Sequence, residues 1–233
     1  MNFLQSLTLC LICAMNKRLK DILYGISYFL IPYLILLAFC LFVKWNFTKD
    51  EIYFAVNSRH TEWQDNIAPY VTNIGNGWTT VIISAILLMF SYRKAFLLFS
   101  SWTITSLGVQ LVKHIFNAPR PKLYFANHLK GIYFVKGTNL LSLDSFPSGH
   151  TVTAFSTAIV ILYFLRNKRW GLPLLLVAAC VGYSRMYLSQ HFFEDVTIGS
   201  IFGFVITLVW INWIDSKKFL HTKKWNDGLI DLL

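Results

Sequence analysis

Polar side chains interrupt an apolar stretch from Ser184 to Asp195, at spacings that suit phosphate chemistry. The guanidinium of Arg185 presents a planar fork of donors that matches phosphate oxygens. If the stretch is helical, His191 and Asp195 lie on one face, where the carboxylate can accept a ring N–H. That bond leaves the other ring nitrogen free as a base or nucleophile. Taken alone, the stretch is equally typical of a membrane-interface segment in which Arg185 snorkels and His191 caps a helix.

A second motif, K-x6-R-P, ends an apolar run at Lys113–Pro121. Arg120 lies between two prolines, which cannot continue a helix and which restrict the residues before them. The helix is therefore expected to end near Lys113, so that Lys113 and Arg120 converge from a helix end and a fixed turn. Convergent cations can neutralise a phosphate group.

A third motif, P-S-G-H at Pro147–His150, begins another apolar run. Pro147 and Ser148 predict a helix start, where the first backbone N–H groups have no partner within the helix. Gly149 lets an anion approach these groups closely, and His150 lies beside them. By itself, this sequence is an ordinary helix start. Together with the other two motifs it predicts a phosphate site.

In this order, the three motifs resemble the signature motifs of the type 2 phosphatidic acid phosphatase (PAP2) superfamily, and every motif position between residues 113 and 195 matches. The resemblance implies that His191 attacks phosphorus to form a phosphohistidine, assisted by Asp195, while His150 protonates the leaving group. It implies no cofactor and no metal. The residues that the resemblance assigns to phosphate binding are Lys113, Arg120, Ser148, Gly149 and Arg185.

The composition predicts a membrane protein. Of the 233 residues, 55% are hydrophobic and only 14% are charged, which is too apolar for a soluble domain of this length. The net charge of +10 would suggest a nucleic-acid partner in a soluble protein. Here the basic residues cluster in short loops between apolar runs, so they indicate how the chain is oriented in the membrane. The expected partners are therefore membrane lipids and not nucleic acid.

The expected fold is all-α, a single domain over residues 1–233 forming a six-helix transmembrane bundle of the PAP2 type. The second apolar run is short for a span, so its helix is expected to begin near Val71. The expected spans are residues 22–43, 71–92, 95–116, 148–165, 170–188 and 193–214.

The basic residues favour an orientation with both termini inside, because more than half of the 21 lysines and arginines then lie in the inner segments. This orientation places all three motifs at one membrane face. In a bacterium the protein would lie in the inner membrane, with its site facing the periplasm or the cell exterior. The outer segment 44–76 is aromatic and charged, and is interpreted either as a wall of the substrate entrance or as a simple connection.

The N-terminus permits two interpretations. Residues 1–14 lack the positive region of a secretory signal, and Met15 precedes three cations, so translation begins at Met15 or residues 1–14 lie along the membrane surface. The cysteines lack metal-ligand spacing and are expected to be buried thiols without a disulfide. They are Cys10, Cys13, Cys40 and Cys180.

The expected function is hydrolysis of a membrane lipid phosphate. Candidate substrates are undecaprenyl diphosphate, phosphatidylglycerophosphate, phosphatidic acid and a lipid A phosphate; neither the choice among them nor the oligomeric state is indicated by the sequence. One alternative is an enzyme like the vanadium haloperoxidases, which resemble the same motifs but are soluble. The other is a membrane protein that binds lipid phosphate without cleaving it.

Overall fold

A computed structural model describes residues 17–232, without the side chains of 128–130 and 232. The possible start at Met15, and both Cys10 and Cys13, lie outside the described residues. Residues 17–232 form helices and loops, with no strand. The helices of at least two turns are α1 (Lys17–Gly25), α2 (Ser27–Asn46), α3 (Lys49–Asn57), α4 (Glu62–Ile74), α5 (Gly77–Phe90), α6 (Tyr92–Phe116), α7 (Gly149–Phe164), α8 (Gly171–Tyr187) and α9 (Phe193–Ile214).

Three described stretches are long and apolar enough to cross a membrane: α2, the stretch Tyr92–Tyr124 that contains α6, and α9. The pair α4 and α5, bent by 52°, makes a fourth if it is counted as one broken span. Helices α7 and α8 have 16 and 17 residues, fewer than the ~20 of a typical span. The all-helical fold is as expected, and the count of six spans is not confirmed.

The expected helix from Val71 into the second span is interrupted. Helix α4 ends at Ile74, and α5 begins at Gly77 with the Asn76 side chain accepting the N–H of Trp78 at 3.1 Å. A Cβ built on Gly75 would lie 2.6 Å from the carbonyl oxygen of His150. The chain bends at this point because it passes against the N-terminal turn of α7, a tertiary contact that the apolar pattern does not reveal.

The core lies around α7, which packs against α6, α8 and α9. Its fully buried residues include Ile159 and Leu162. An aromatic cluster joins α7 to its neighbours: Phe155 meets Phe29 of α2 edge-on at 6.1 Å, and Phe29 stacks on Phe204 of α9 at 6.4 Å. Helix α7 is therefore held on several sides, and its first turn presents the P-S-G-H motif at a fixed position.

The end of the bundle opposite the motifs is tied together by Asp215, whose side chain is buried directly after α9. Arg93 donates two hydrogen bonds of 2.8 Å to this carboxylate, Arg18 donates one of 2.8 Å, and Tyr163 donates one of 2.7 Å. Burial acts to raise the pKa of Asp215, but these hydrogen bonds and the two guanidinium charges outweigh it and hold the pKa below its ordinary value. The contacts join α1, α6 and α7 to the end of α9.

The expectation of buried cysteines is wrong for Cys180, which is exposed, whereas Cys40 is partly buried. Both thiols are free. Cys180 lies on a side of α8 that no other described helix covers.

Candidate active site

A cavity of about 350 Å³ brings the three motifs together. Its wall is built from the bend between α4 and α5, one side of α6, the first turn of α7 and the segment that follows α8. Three cationic side chains and two histidines therefore surround one space, as the sequence predicted. The motif residues that line it are Lys113, Arg120, Gly149, His150, Arg185 and His191.

Arg120 is buried and has the largest set of contacts in the site. Its Nε donates to the carbonyl oxygen of Leu143 at 2.8 Å, and its Nη2 donates to that of Asp144 at 3.2 Å. Its Nη1 donates to both oxygens of Gln190, at 3.1 and 3.2 Å, and lies 3.3 Å from His191 Nε2. The guanidinium is thus held in one orientation against the histidine.

The contact between Arg120 and His191 determines which ring nitrogen of the histidine carries a lone pair. An arginine can only donate, so His191 Nε2 accepts, and in the neutral ring the proton lies on Nδ1. Burial, followed by the charges of Arg120, Arg185 and Lys113, holds the pKa of His191 well below its ordinary value. The imidazole is therefore neutral near pH 7, with a nucleophilic nitrogen facing the cationic side of the cavity.

Asp195 lies beside this histidine, although not through the helical spacing that the sequence suggested. Helix α9 begins at Phe193, so His191 precedes the helix and Asp195 occupies its first turn. The carboxylate Oδ2 lies 3.6 Å from His191 Nδ1, longer than a hydrogen bond. The expectation of one shared helical face is wrong, yet the two groups are adjacent because the first turn of α9 folds back over the loop.

The same oxygen of Asp195 is held by two strong contacts. Ser145 donates its hydroxyl to Oδ2 at 2.5 Å, and the backbone N–H of Phe192 donates at 2.8 Å. Burial raises the electrostatic cost of an ionised carboxylate, and such donors offset part of that cost. Ser145 was not singled out from the sequence, because a serine two residues before a motif carries no pattern of its own.

The first turn of α7 presents two of its three expected residues to the cavity. Gly149 and His150 line it, and the side chain of His150 makes no hydrogen bond within the described chain. Ser148 is different, since it is fully buried, its hydroxyl accepts from Thr151 at 2.9 Å, and its N–H donates to the carbonyl oxygen of Asp195 at 3.0 Å. Its position indicates that it joins α7 to α9 rather than facing a bound phosphate.

The two remaining cations converge from different helices. Lys113, in the last turn of α6, donates from Nζ to the carbonyl oxygen of Asp144 at 3.0 Å, which is also an acceptor for Arg120. Arg185, in the last turn of α8, donates from Nη1 to Thr72 at 2.8 Å, and its buried Nε has no partner. An unpaired buried donor beside a cavity is a position where an anion can bind.

Segment 44–76 also supports the loop that carries His191. Ser189 lies in the left-handed region with a φ of 53°. Its hydroxyl is hydrogen-bonded to that of Tyr53 at 3.0 Å and accepts from Asn57 Nδ2 at 3.2 Å. Both partners lie on α3. With Gly75 at the cavity wall, the segment contributes both to the wall and to the positioning of motif residues. These long-range contacts leave no signal in the sequence.

Comparisons with known proteins agree with this geometry. A model of the PAP2 superfamily matches residues 94–219. The chain is 29% identical over 141 residues to the lipid A 4'-phosphatase of Porphyromonas gingivalis, which covers 55% of this chain and 58% of that protein. It is 26% identical over 173 residues to the undecaprenyl-diphosphatase BcrC of Bacillus subtilis, which covers 72% of this chain and 85% of that protein.

Among solved structures, the fold is similar to that of LpxE from Aquifex aeolicus, with a TM-score of 0.62 and 25% identity. The match covers 72% of this chain and 98% of the LpxE chain. The matched region of the lipid A 4'-phosphatase is thus a little over half of that protein, whereas nearly the whole of LpxE is matched.

Proposed function

Because the chain belongs to the PAP2 superfamily, we propose that it is an integral-membrane enzyme that hydrolyses the phosphate ester or diphosphate of a membrane lipid. The observation that carries this proposal is the shared cavity in which Arg120 contacts Nε2 of His191 while two further cations line the wall. A lipid whose head enters the cavity while its tails stay in the bilayer would bring its phosphate between these groups.

In the proposed reaction, Lys113, Arg120 and Arg185 hold the non-bridging phosphate oxygens, whose charge they neutralise during transfer. His191 Nε2 attacks phosphorus as the bond to the leaving oxygen breaks, and His150 gives its proton to that oxygen. Asp195 lies close enough to Nδ1 to stabilise the positive charge of the phosphohistidine.

The second half of the reaction uses the same residues. A water molecule enters after the lipid product has left, and His150 takes a proton from it as it attacks phosphorus. The bond to His191 then breaks, inorganic phosphate leaves, and both histidines return to their starting states. The bond between phosphorus and His191 that forms in the first step is broken in the second, and His150 regains from water the proton that it gave to the leaving group.

The topology is part of the proposal. We place the chain in a bacterial inner membrane with six crossings, counting α7 and α8 as short spans and α4 with α5 as a bent one. Both termini then lie in the cytoplasm, and the cavity faces the periplasm or the exterior. The positions of the basic residues support this orientation, since Asp215 and its cationic partners lie at the opposite end from the cavity.

The lipid substrate is to be identified by phosphate release from purified protein on a panel of undecaprenyl diphosphate, phosphatidylglycerophosphate, phosphatidic acid and lipid A. Two relatives carry names that refer to different lipids on this panel. Release from at least one lipid is expected. Binding without release from any of them would instead support a non-catalytic lipid-phosphate protein.

Activity should persist in excess EDTA. The reason is that three side-chain cations surround the position of the phosphate, so that the charge neutralisation that Mg²⁺ provides in many phosphotransfer enzymes comes from the protein. Phosphate release with EDTA should stay within about twofold of the untreated rate. Loss of turnover in EDTA and its recovery with added Mg²⁺ would contradict the proposed mechanism.

Replacing Ser145 by alanine should lower kcat about tenfold, without preventing folding. The substitution removes one hydrogen bond to a buried carboxylate, a loss of ~1.5–3 kcal/mol in favourable cases, and loosens Asp195 beside the nucleophile. Ser142→Ala is the matched control, since Ser142 lies in the same loop and is exposed. Equal activity of the two variants, measured as initial rates of phosphate release, would show that Ser145 does not position Asp195.

A further inference from the structure

The active-site cavity extends along α6 well beyond the motif residues. Trp102, Ser106 and Gln110, four residues apart, line it together with Lys113. From Trp102 to Lys113 a helix rises roughly 16 Å, about half the thickness of the hydrocarbon layer. We call Trp102, Ser106 and Gln110 the α6 stripe. It continues the wall of the cavity from the motif cations toward the middle of α6.

The α6 stripe carries hydrogen-bonding groups without partners. Within the described chain, the hydroxyl of Ser106, the amide of Gln110 and the indole N–H of Trp102 make no hydrogen bond to another residue. The neighbouring Thr105, by contrast, donates to the carbonyl oxygens of Ser101 and Trp102. Polar groups at membrane depth are costly unless they are satisfied, and those that face a cavity mark binding pathways.

The lining of this deeper part is uncharged. The cationic lining residues, Lys113, Arg120 and Arg185, all belong to the motif end of the cavity. Val152 and Thr153 of α7 also line the cavity. Groups that bind there would need to form hydrogen bonds without carrying charge, because an anionic phosphate at that depth would lack a counter-charge.

The far end of the α6 stripe is narrow. A Cβ built on Gly77 would lie 2.8 Å from the indole ring of Trp102, so the ring packs directly against the start of α5. The space between the motif cations and this ring is large enough for a few polar atoms of a headgroup.

We propose that Ser106 and Gln110 form a subsite for the leaving group, and that it binds neutral oxygen atoms, such as the hydroxyls of a glycerol or sugar unit next to the phosphate. This inference rests on the proposed phosphatase function and adds a substrate class to it. The preferred lipid has a polyhydroxylated or glycerol-type alcohol as its leaving group. A polyprenyl diphosphate, whose leaving group is a polyprenyl phosphate, would place an anionic inner phosphate there instead of neutral oxygen atoms.

The test compares three synthetic substrates that share one tail: hexadecyl phosphate, hexadecylglycerol phosphate and hexadecyl diphosphate. The purified full-length wild-type protein should show a kcat/KM roughly tenfold or more higher for hexadecylglycerol phosphate than for hexadecyl phosphate, since one to two hydrogen bonds differ. Gln110→Leu and Ser106→Ala should each reduce that preference by about three- to tenfold, while the rate with hexadecyl phosphate changes by less than about twofold.

Thr103→Val is the matched control, because Thr103 is on the same helix, bonds to the carbonyl oxygen of Phe99 at 2.9 Å and is not part of the cavity lining. The preference of Thr103→Val for hexadecylglycerol phosphate over hexadecyl phosphate should equal that of the wild type. Both Gln110→Leu and Ser106→Ala keep or increase the apolar character of a membrane helix, so folding should persist, as checked by size-exclusion chromatography.

Each other outcome contradicts the subsite. Equal losses on hexadecyl phosphate and hexadecylglycerol phosphate would indicate a structural role for the α6 stripe, and no loss on either would indicate that only water occupies it. A selective loss on hexadecyl diphosphate would assign the position to an anionic inner phosphate. Failure of the wild type to release phosphate from any of the three would overturn the phosphatase proposal itself, a result distinct from a normal phosphatase without the preference.

Discussion

Replacing His191 by alanine should abolish both the phosphoenzyme and the product, with every substrate. In the proposed reaction this side chain supplies the atom that attacks phosphorus, and its Nε2 lies 3.3 Å from Arg120 at the cationic side of the cavity. Loss of a nucleophile cannot be compensated by a better leaving group, so kcat should fall by at least ~10⁴-fold on lipid and on p-nitrophenyl phosphate alike. Rapid acid quench with labelled phosphate should show no protein-bound label.

His150→Ala should fail in a different way. This residue lines the cavity from the first turn of α7, and its proposed task is proton transfer to the leaving oxygen. General acid catalysis contributes ~10²–10⁴-fold, and the need for it decreases when the leaving group has a low pKa. We expect the full loss of this rate factor on the lipid substrate. With p-nitrophenyl phosphate, a measurable part of the rate should be recovered.

The comparison of the two variants separates the roles. The activity of Asp195→Asn should lie between the activities of these two variants. His191 stays in place, but the charge that in the proposed reaction supports its phosphorylated form is lost. If the alanine variants of His191 and His150 are equally inactive on both substrates, or if the phosphoenzyme maps to His150, the assignment is reversed or incomplete even though the family membership stands.

Replacing Arg120 by lysine should cost about 10²–10³-fold in kcat, despite the conserved charge. The guanidinium donates at once to Leu143, Asp144 and Gln190 while its Nη1 faces His191 Nε2. A lysine presents one rotatable ammonium, which cannot satisfy these separate acceptors and also bind a phosphate oxygen. The carbonyl groups of Leu143 and Asp144 that it leaves without this donor would further loosen the loop before α7.

Lys122→Ala is the control for this variant, because Lys122 is an exposed cation two residues further on that does not line the cavity. Its kcat should stay within about twofold of the wild type, as expected for a solvated surface charge. Steady-state phosphate release gives the kcat of Arg120→Lys and of Lys122→Ala, and thermal unfolding in detergent shows whether both variants are folded. A kcat for Arg120→Lys near that of the wild type would show that charge alone, and not the fork of donors, holds the phosphate.

The candidate residues of the site could be identified from the sequence because they are concentrated in three short motifs. Helix-breaking prolines flank Arg120, a helix start carries His150, and His191 and Asp195 are close in the chain, so local rules place each of them at the end of an element. All these residues either line the cavity or, as with Asp195, contact a residue that does. The apolar composition likewise predicted an all-helical membrane fold, because a long apolar run is a property of its own segment of the chain.

The supporting contacts could not be predicted, because they join residues far apart in the chain. Thr72 holds Arg185, Tyr53 and Asn57 hold Ser189, and Ser145 holds Asp195. Each is an ordinary residue type that makes one specific hydrogen bond, and only packing decides which partner it meets.

By itself, then, the sequence identified the candidate groups for the proposed chemistry and indicated that they lie in a helical membrane protein, since residue type and short spacing suffice for both. The tertiary structure decided how they are oriented. The bend at Gly75 follows from the close passage of α7, and His191 meets Asp195 across a helix start rather than along a helix face. The buried position of Ser148 and the unpartnered groups of Ser106 and Gln110 likewise depend on which helices pack together, and helix packing is set by contacts between distant residues.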